Sequence, residues 1–130
     1  MATILVVDAT AESRNRASNT LFGEGHNVIT VATGPEAMLR IRNNPPDLVL
    51  LDVTVLGEDG WDVLRQVRMD PMTVQLPVIT IVRSSASDAD SRKATLLYSN
   101  ERMLKPWDAE ELRNRVGWTL WWSIYKIPVA

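Results

Sequence analysis

Asp8, Asp52 and Lys105 are the side chains of this sequence best placed to do chemistry together. Asp8 follows the apolar run Ile4 to Val7, Asp52 follows Leu48 to Leu51, and Lys105 stands before Pro106 at the end of a short segment, Arg102 to Leu104. Singly, each has an ordinary role: an Asp after an apolar run readily bonds nearby backbone in a turn, and a lysine at such a place is solvated. Brought together they imply a site, because paired carboxylates repel one another unless a cation, an amine or a transferred group offsets them. The remaining reactive inventory is thin. With no cysteine and a single histidine, His26, thiolate and His-rich zinc sites are excluded.

For those three residues to meet, the segments that carry them must end at one edge. Thr3 to Val7, Asn27 to Ala32, Leu48 to Leu51 and Val78 to Val82 are short and rich in Val, Ile and Leu. Continuous rather than alternating apolarity marks strands covered on both faces, as in a parallel sheet. Between them Glu12 to Phe22, Pro35 to Asn43 and Gly60 to Met69 have apolar residues at helical spacing and serve as crossover helices. Gly23-Glu24-Gly25, Asn44-Pro45-Pro46 and Asp70-Pro71 stop them, and Pro35 suits a first helical turn. Ser91 to Leu97 is expected to form a short helix and Arg102 to Leu104 a last strand. Asp108, with Glu111 three residues on, caps a final helix running to about Tyr125. The βαβαβαβαβα order implies an open, doubly wound α/β sheet, whose ligands sit beyond the carboxyl ends of its strands.

Bulk properties agree with one soluble domain. The 130 residues are 45% apolar and 23% charged, ordinary values for a globular chain too short for two cores, so a single domain over 1–130 is expected. A formal net charge of -2 lacks the long-range positive field of a non-specific nucleic-acid binder, so no direct nucleic-acid contact is expected. No apolar run reaches the roughly 18 residues of a membrane span, and a cytoplasmic location without membrane contact is expected.

The ordered motifs Ile4-Leu5-Val6-Val7-Asp8, Asp47 to Asp52 followed by Asp59-Gly60-Trp61, Asp70-Pro71 with Leu76-Pro77-Val78-Ile79, and Lys105-Pro106-Trp107 resemble the receiver domain of two-component response regulators over roughly Thr3 to Val116. The resemblance implies a flavodoxin-like (βα)5 sandwich with a parallel sheet in order 2-1-3-4-5, and a signalling module rather than an enzyme. It implies that Asp52 accepts a phosphoryl group from a partner histidine kinase and that Lys105 contacts the phosphoryl oxygens. It also implies that Asp8, Asp52 and the backbone carbonyl of Thr54 hold Mg²⁺. A carboxylate is a weak nucleophile toward phosphorus, so such a transfer needs cations on the phosphoryl oxygens and an in-line geometry.

Four positions depart from that pattern. The acidic pair reads Asp8-Ala9, and Ala9 supplies no oxygen where the resemblance expects the direct metal ligand. The switch hydroxyl falls on Val82, the small position after it is Arg83, and the switch aromatic is Arg102. Losing a carboxylate while gaining guanidinium groups makes the pocket poor in negative charge: at an effective dielectric near 20, one unit charge about 4 Å from another is worth up to ~4 kcal/mol before desolvation. Mg²⁺ is therefore expected to bind weakly or not at all, with Arg83 or Lys105 pairing with Asp52 in its stead. Two functions remain open at this stage. One is a receiver with impaired Mg²⁺-dependent phosphorylation at Asp52; the other is a pseudo-receiver acting through protein contacts alone. A flavodoxin-like flavin or nucleotide binder is a third, disfavoured because the turn Asp8 to Glu12 has no glycine to cradle phosphate.

In the final helix Leu112, Val116, Leu120 and Ile124 form one stripe for packing on the sheet. Trp118, Trp121, Trp122 and Tyr125 add more apolar surface than a one-sided helix needs, which predicts a partner surface, either a homodimer through this helix or another signalling protein. Trp107 is expected beneath the last loop, Trp61 partly exposed, His26 in a surface turn, and Arg14, Arg16, Arg40 and Arg42 on solvated helix faces.

Overall fold

The computed structural model describes residues 1–53, 58–83, 92–93 and 97–125. Its elements are β1 (Thr3–Val7), α1 (Ala11–Phe22), β2 (Asn27–Val31), α2 (Gly34–Asn43), β3 (Leu48–Asp52), α3 (Glu58–Met69), β4 (Val78–Arg83), β5 (Glu101–Lys105) and α4 (Ala109–Tyr125). The five strands are all parallel, in the order β2-β1-β3-β4-β5. This is the doubly wound, flavodoxin-like sheet expected from the pattern of short apolar runs. Apart from helical Arg92 and Lys93, the helix expected at Ser91 to Leu97 falls largely outside the described residues.

Period-two side chains divide the core between the two faces of the sheet. Leu5, Val7, Val49, Leu51, Val78 and Val82 pack with Ala37, Ile41, Trp61, Leu64 and Val67 of α2 and α3. Ile4, Val6, Leu48, Leu50, Ile79, Ile81 and Met103 pack on the other face with Ala17, Leu21, Leu112, Val116 and Leu120 of α1 and α4. All five residues of β3 are buried, which accounts for its unbroken apolar run, whereas β2 and β5 lie at the sheet edges and carry more exposed positions.

The helix starts follow their capping residues. Thr33 Oγ1 accepts the amide of Glu36 at 3.3 Å, and Asp108 Oδ1 accepts the amide of Glu111 at 2.7 Å, the second as the sequence pattern predicts. Gly25 takes a positive φ of 87° in the turn before β2, a conformation that suits glycine.

Several expectations about single residues need correction. Trp61 is not partly exposed but 4% exposed, because α3 starts at Glu58 and turns the indole onto the sheet, where the Lys93 ammonium stands 5.3 Å from the ring centre. His26 does occupy a turn, yet it is half-buried, and its Nδ1 accepts the amide of Ala2 at 3.2 Å. Of the four arginines, Arg16 and Arg42 are exposed as expected, whereas Arg14 and Arg40 are half-buried. Arg14 donates to the Asp8 carbonyl at 2.8 Å, Arg42 donates to Gln66 at 2.7 Å, and Arg40 is half-buried. Arg16 donates to the Trp107 carbonyl at 3.1 Å with its guanidinium 4.6 Å from the Trp107 ring centre, while Trp107 itself is buried as expected.

Candidate functional site

Parallel registry sets the site. Val7 of β1 pairs with Leu51 of β3, so Asp8 and Asp52 emerge side by side, and Arg83 of β4 pairs with Lys105 at the end of β5. Lys105 reaches back across the strand ends. Its Nζ donates to Asp52 Oδ2 at 2.7 Å and to Asp8 Oδ2 at 3.2 Å. Asp8 Oδ1 accepts the amide of Thr10 at 2.8 Å, which fixes the carboxylate at the entrance to α1.

The three groups are withdrawn from water to different degrees. Asp52 is fully buried, Asp8 is 3% exposed, and the Lys105 side chain retains 22% exposure, so the ammonium forms the outer wall of the pair. Two buried carboxylates this close are held by the bridging ammonium and by backbone donation. Buried charges persist when they are paired and hydrogen-bonded.

The other positions singled out in the sequence fall around this centre unequally. Ala9 follows Asp8 with a methyl group only. Val82 is fully buried in the core cluster beneath α2 and α3, where it presents methyl groups and no hydroxyl. Arg83 is exposed at the end of β4 and lines a small cavity with Lys105. Arg102 is exposed and lines a groove with Ser99, Leu104, Glu111 and Arg115 that shares no residue with the carboxylate pair, so it does not add its charge there. Thr54 lies outside the described residues. Of Arg83, Arg102 and Lys105, it is Lys105 that is seen paired with Asp52 among the described residues.

One polar feature escaped the sequence reading. Thr80 is fully buried in the apolar run of β4, its Oγ1 3.0 Å from Ser99 Oγ, which in turn donates to the Glu101 carbonyl at 2.6 Å. A lone threonine inside Val-Ile-Thr-Ile-Val was the signal for it. This pair ties β4 to the chain entering β5.

The family model for the response regulator receiver domain matches residues 4–117 of this chain. The chain belongs to the response regulator receiver domain family. Protein PilH of Pseudomonas aeruginosa is 29% identical over 117 residues, covering 90% of this chain and 96% of PilH. The transcriptional regulatory protein AfsQ1 of Streptomyces coelicolor is 35% identical over 81 residues, which is 62% of this chain but 35% of AfsQ1. The crystal structure of NtrX from Brucella abortus superposes with a TM-score of 0.87 at 28% identity, covering 96% of this chain and 28% of that one. This receiver domain therefore spans nearly all of one relative and about a third of the others, and it functions in two-component signalling.

Receiver domains use Mg²⁺ in phosphorylation, and the donors here can be compared with that need. Six-coordinate Mg²⁺ takes oxygen ligands at about 2.1 Å, commonly including one or two carboxylates. Asp8 and Asp52 each have an oxygen engaged by Lys105, Asp8 has its other oxygen engaged by backbone, and the Ala9 side chain has none to offer. Among the described residues no three Asp, Glu, His or Cys side chains converge. This donor set does not fit a tightly held Mg²⁺.

Proposed function

We propose that Asp52 is the phosphoryl acceptor of this receiver domain and that it is modified slowly, with Lys105 supplying charge compensation that a bound metal ordinarily supplies. The supporting observation is the Lys105 bridge across both carboxylates beside a methyl-bearing residue 9. In the transfer, an Asp52 oxygen forms a bond to phosphorus as the bond from phosphorus to the donor nitrogen of a kinase histidine breaks. Lys105, already at the carboxylate, moves its ammonium onto the phosphoryl oxygens. Burial of Asp52 behind that ammonium slows the step, since the pair must open first. A cytoplasmic location and a histidine kinase partner fit this reading.

A second reading, a receiver that signals through protein contacts without phosphorylation, is favoured by the switch positions. Val82 has no hydroxyl for a phosphoryl oxygen and Arg102 is an exposed cation, so the parts that would relay phosphorylation to the surface are missing. Mass spectrometry after incubation with Mg²⁺ and a small phosphodonor separates the two, with Asp52→Asn as control. A minor, slowly formed Asp52-dependent phosphorylated fraction is expected. Rapid, complete modification removes the impairment, and none at all leaves the contact-only reading. Calorimetry with Mg²⁺ is expected to show affinity lower than a complete acidic site by on the order of 10- to 100-fold, the usual scale of losses from disturbing a metal site.

The partner surface of this receiver domain is α4. Trp118, Trp121 and Trp122 are each about half exposed, with ring centres 5.3–5.7 Å apart in stacked and edge-on pairs. Next to them Glu101, Glu111, Arg102 and Arg115 mix both signs of charge, which suits the self-complementarity a two-fold contact requires. A second copy of this chain is accordingly the proposed occupant; the Tyr125 side chain lies outside the described residues. Light scattering on eluting protein is expected to show a concentration-dependent dimer for the wild type and a monomer for Trp122→Glu. A monomer in both counts against the dimer.

A further inference from the structure

We propose that the outer edge of β2 is a docking site for an extended segment of a partner protein, one that alternates acidic and apolar side chains and pairs with β2 as an added strand. The edge follows from the ladder. Asn27 N–H donates to the Ala2 carbonyl at 2.9 Å and Asp8 N–H donates to the Val31 carbonyl at 3.2 Å, so Asn27, Ile29 and Val31 turn their backbone groups toward β1. By the two-residue period of a strand, the N–H and C=O of Val28 and Thr30 turn the other way, where no further strand of the sheet follows.

 

Edge strands are ordinarily blunted by charge, proline or a bulge. At the opposite edge β5 follows that rule, with Glu101, Arg102 and Lys105 among its residues. β2 does not. It reads Asn27-Val28-Ile29-Thr30-Val31, without charge or proline, and pairs residue for residue with β1, without a bulge. A strand of this kind accepts an added one, main-chain bonds supplying the affinity and side chains the selection.

A separate observation gives the selection its sign. In α2, Ala37, Met38 and Ile41 face the core, where Ile29 and Val31 of β2 pack on the same cluster, while Leu39 and Arg42 line the cleft against α3. At 3.6 residues per turn Arg40 falls on the opposite flank of α2, the flank toward the β2 edge. Arg40 Nε is buried and has no hydrogen-bond partner among the described residues. Glu36, one turn earlier on that flank, accepts the Thr33 hydroxyl at 3.0 Å instead. A buried donor without an acceptor is costly, and a carboxylate on the incoming strand meets it through the guanidinium fork. The alternate residues of that strand then face α1, whose last residue, Phe22, is 72% exposed at the turn into β2. A second copy of this chain is disfavoured as the occupant: β2 brings no acid of its own, and a two-fold contact here besides one at α4 joins domains into an open chain.

Fluorescence anisotropy on the full chain, with a labelled, end-blocked Val-Glu-Val-Glu-Val peptide as probe, tests this. Saturable binding is expected for the wild type, weakened about tenfold or more by Thr30→Pro, which removes only an outward N–H, and by Arg40→Gln, which removes only the charge. The Val-Lys-Val-Lys-Val counterpart is expected to bind at least about tenfold more weakly than the acidic peptide. Thr30 is exposed on an edge strand, where proline is tolerated, and Arg40→Gln gives a second reading that asks nothing of the backbone. No saturation with the acidic peptide overturns the proposal, as does binding that either variant leaves intact or that the lysine peptide matches. A dimer in light scattering that Thr30→Pro dissolves and Trp122→Glu leaves whole also overturns it, and puts a second copy of this chain on the edge.

Discussion

Lys105→Met is expected to destabilise the domain by about 3–5 kcal/mol, the range for stripping one partner from a buried ion pair. The substitution keeps the length and apolar stem of the side chain but removes the ammonium that both Asp8 and Asp52 accept from. What remains is two carboxylates, one fully buried and one 3% exposed, without the ammonium that bridged them. An exposed pair would cost ~0–1 kcal/mol, so denaturant unfolding distinguishes the two cases directly. The double variant Lys105→Met, Asp52→Asn is expected to recover much of the loss, because one carboxylate no longer opposes the other. A loss below about 1 kcal/mol in the single variant shows that the carboxylates are hydrated and that the bridge does not hold them. The same result bears on phosphorylation: a strong bridge is a barrier that must open before an Asp52 oxygen reaches phosphorus.

Strand ends were legible because apolar runs stop at them. Leu48 to Leu51 is continuous since β3 is covered on both faces, and the first polar residue after it, Asp52, marks the edge where a ligand sits. The same logic located Asp8 and Lys105, and parallel registry does the rest of the work of bringing them together. Asp108 was legible as a cap because a cap is a local bond, three residues long. Side chains whose partners lie far along the chain were not. Arg16 reads as one more charged position on a helix surface, and only the fold brings Trp107 beneath it, 91 residues on. Trp61 misled for a related reason: a two-residue difference along a helix, as between a start at 58 and one at 60, is about 200°, slightly more than a half-turn, and helix ends are the least determined feature of a hydrophobic pattern. The place of Arg102 on the outer groove depends on which way an edge strand faces, and mixed apolar and charged residues in β5 leave that undecided.

Arg68→Met is expected to cost about 2–4 kcal/mol, lowering the melting temperature by roughly 10 °C, although this arginine touches none of the groups at the strand ends. Its guanidinium leaves the last turn of α3 and spreads over two stretches of chain, 74–76 and 98–100. Nε donates to the Tyr98 carbonyl at 2.9 Å, Nη1 to the Leu76 carbonyl at 2.7 Å and the Val74 carbonyl at 3.3 Å, and Nη2 to Asn100 Oδ1 at 2.6 Å. Asn100 in turn accepts the amide of Val78 through that same oxygen at 2.8 Å, so the cation organises the entry to β4 and the approach to β5 together. Tyr98 sits at φ 56°, a left-handed conformation unfavourable for a tyrosine, and the bond to its carbonyl helps hold it there. Burial pushes the Arg68 pKa below its ordinary value, so this half-buried cation is partly withdrawn from water and its four acceptors offset that loss. Methionine fills the space but leaves three carbonyls without their donor, and hydrogen bonds to a charged group are the costly ones to lose. Lysine restores the charge without the fork, so Arg68→Lys is expected to recover only part of the stability. A melting temperature within about 2 °C of wild type for Arg68→Met shows that water replaces the guanidinium at these carbonyls, and that the loops before β4 and β5 hold their shape by packing alone.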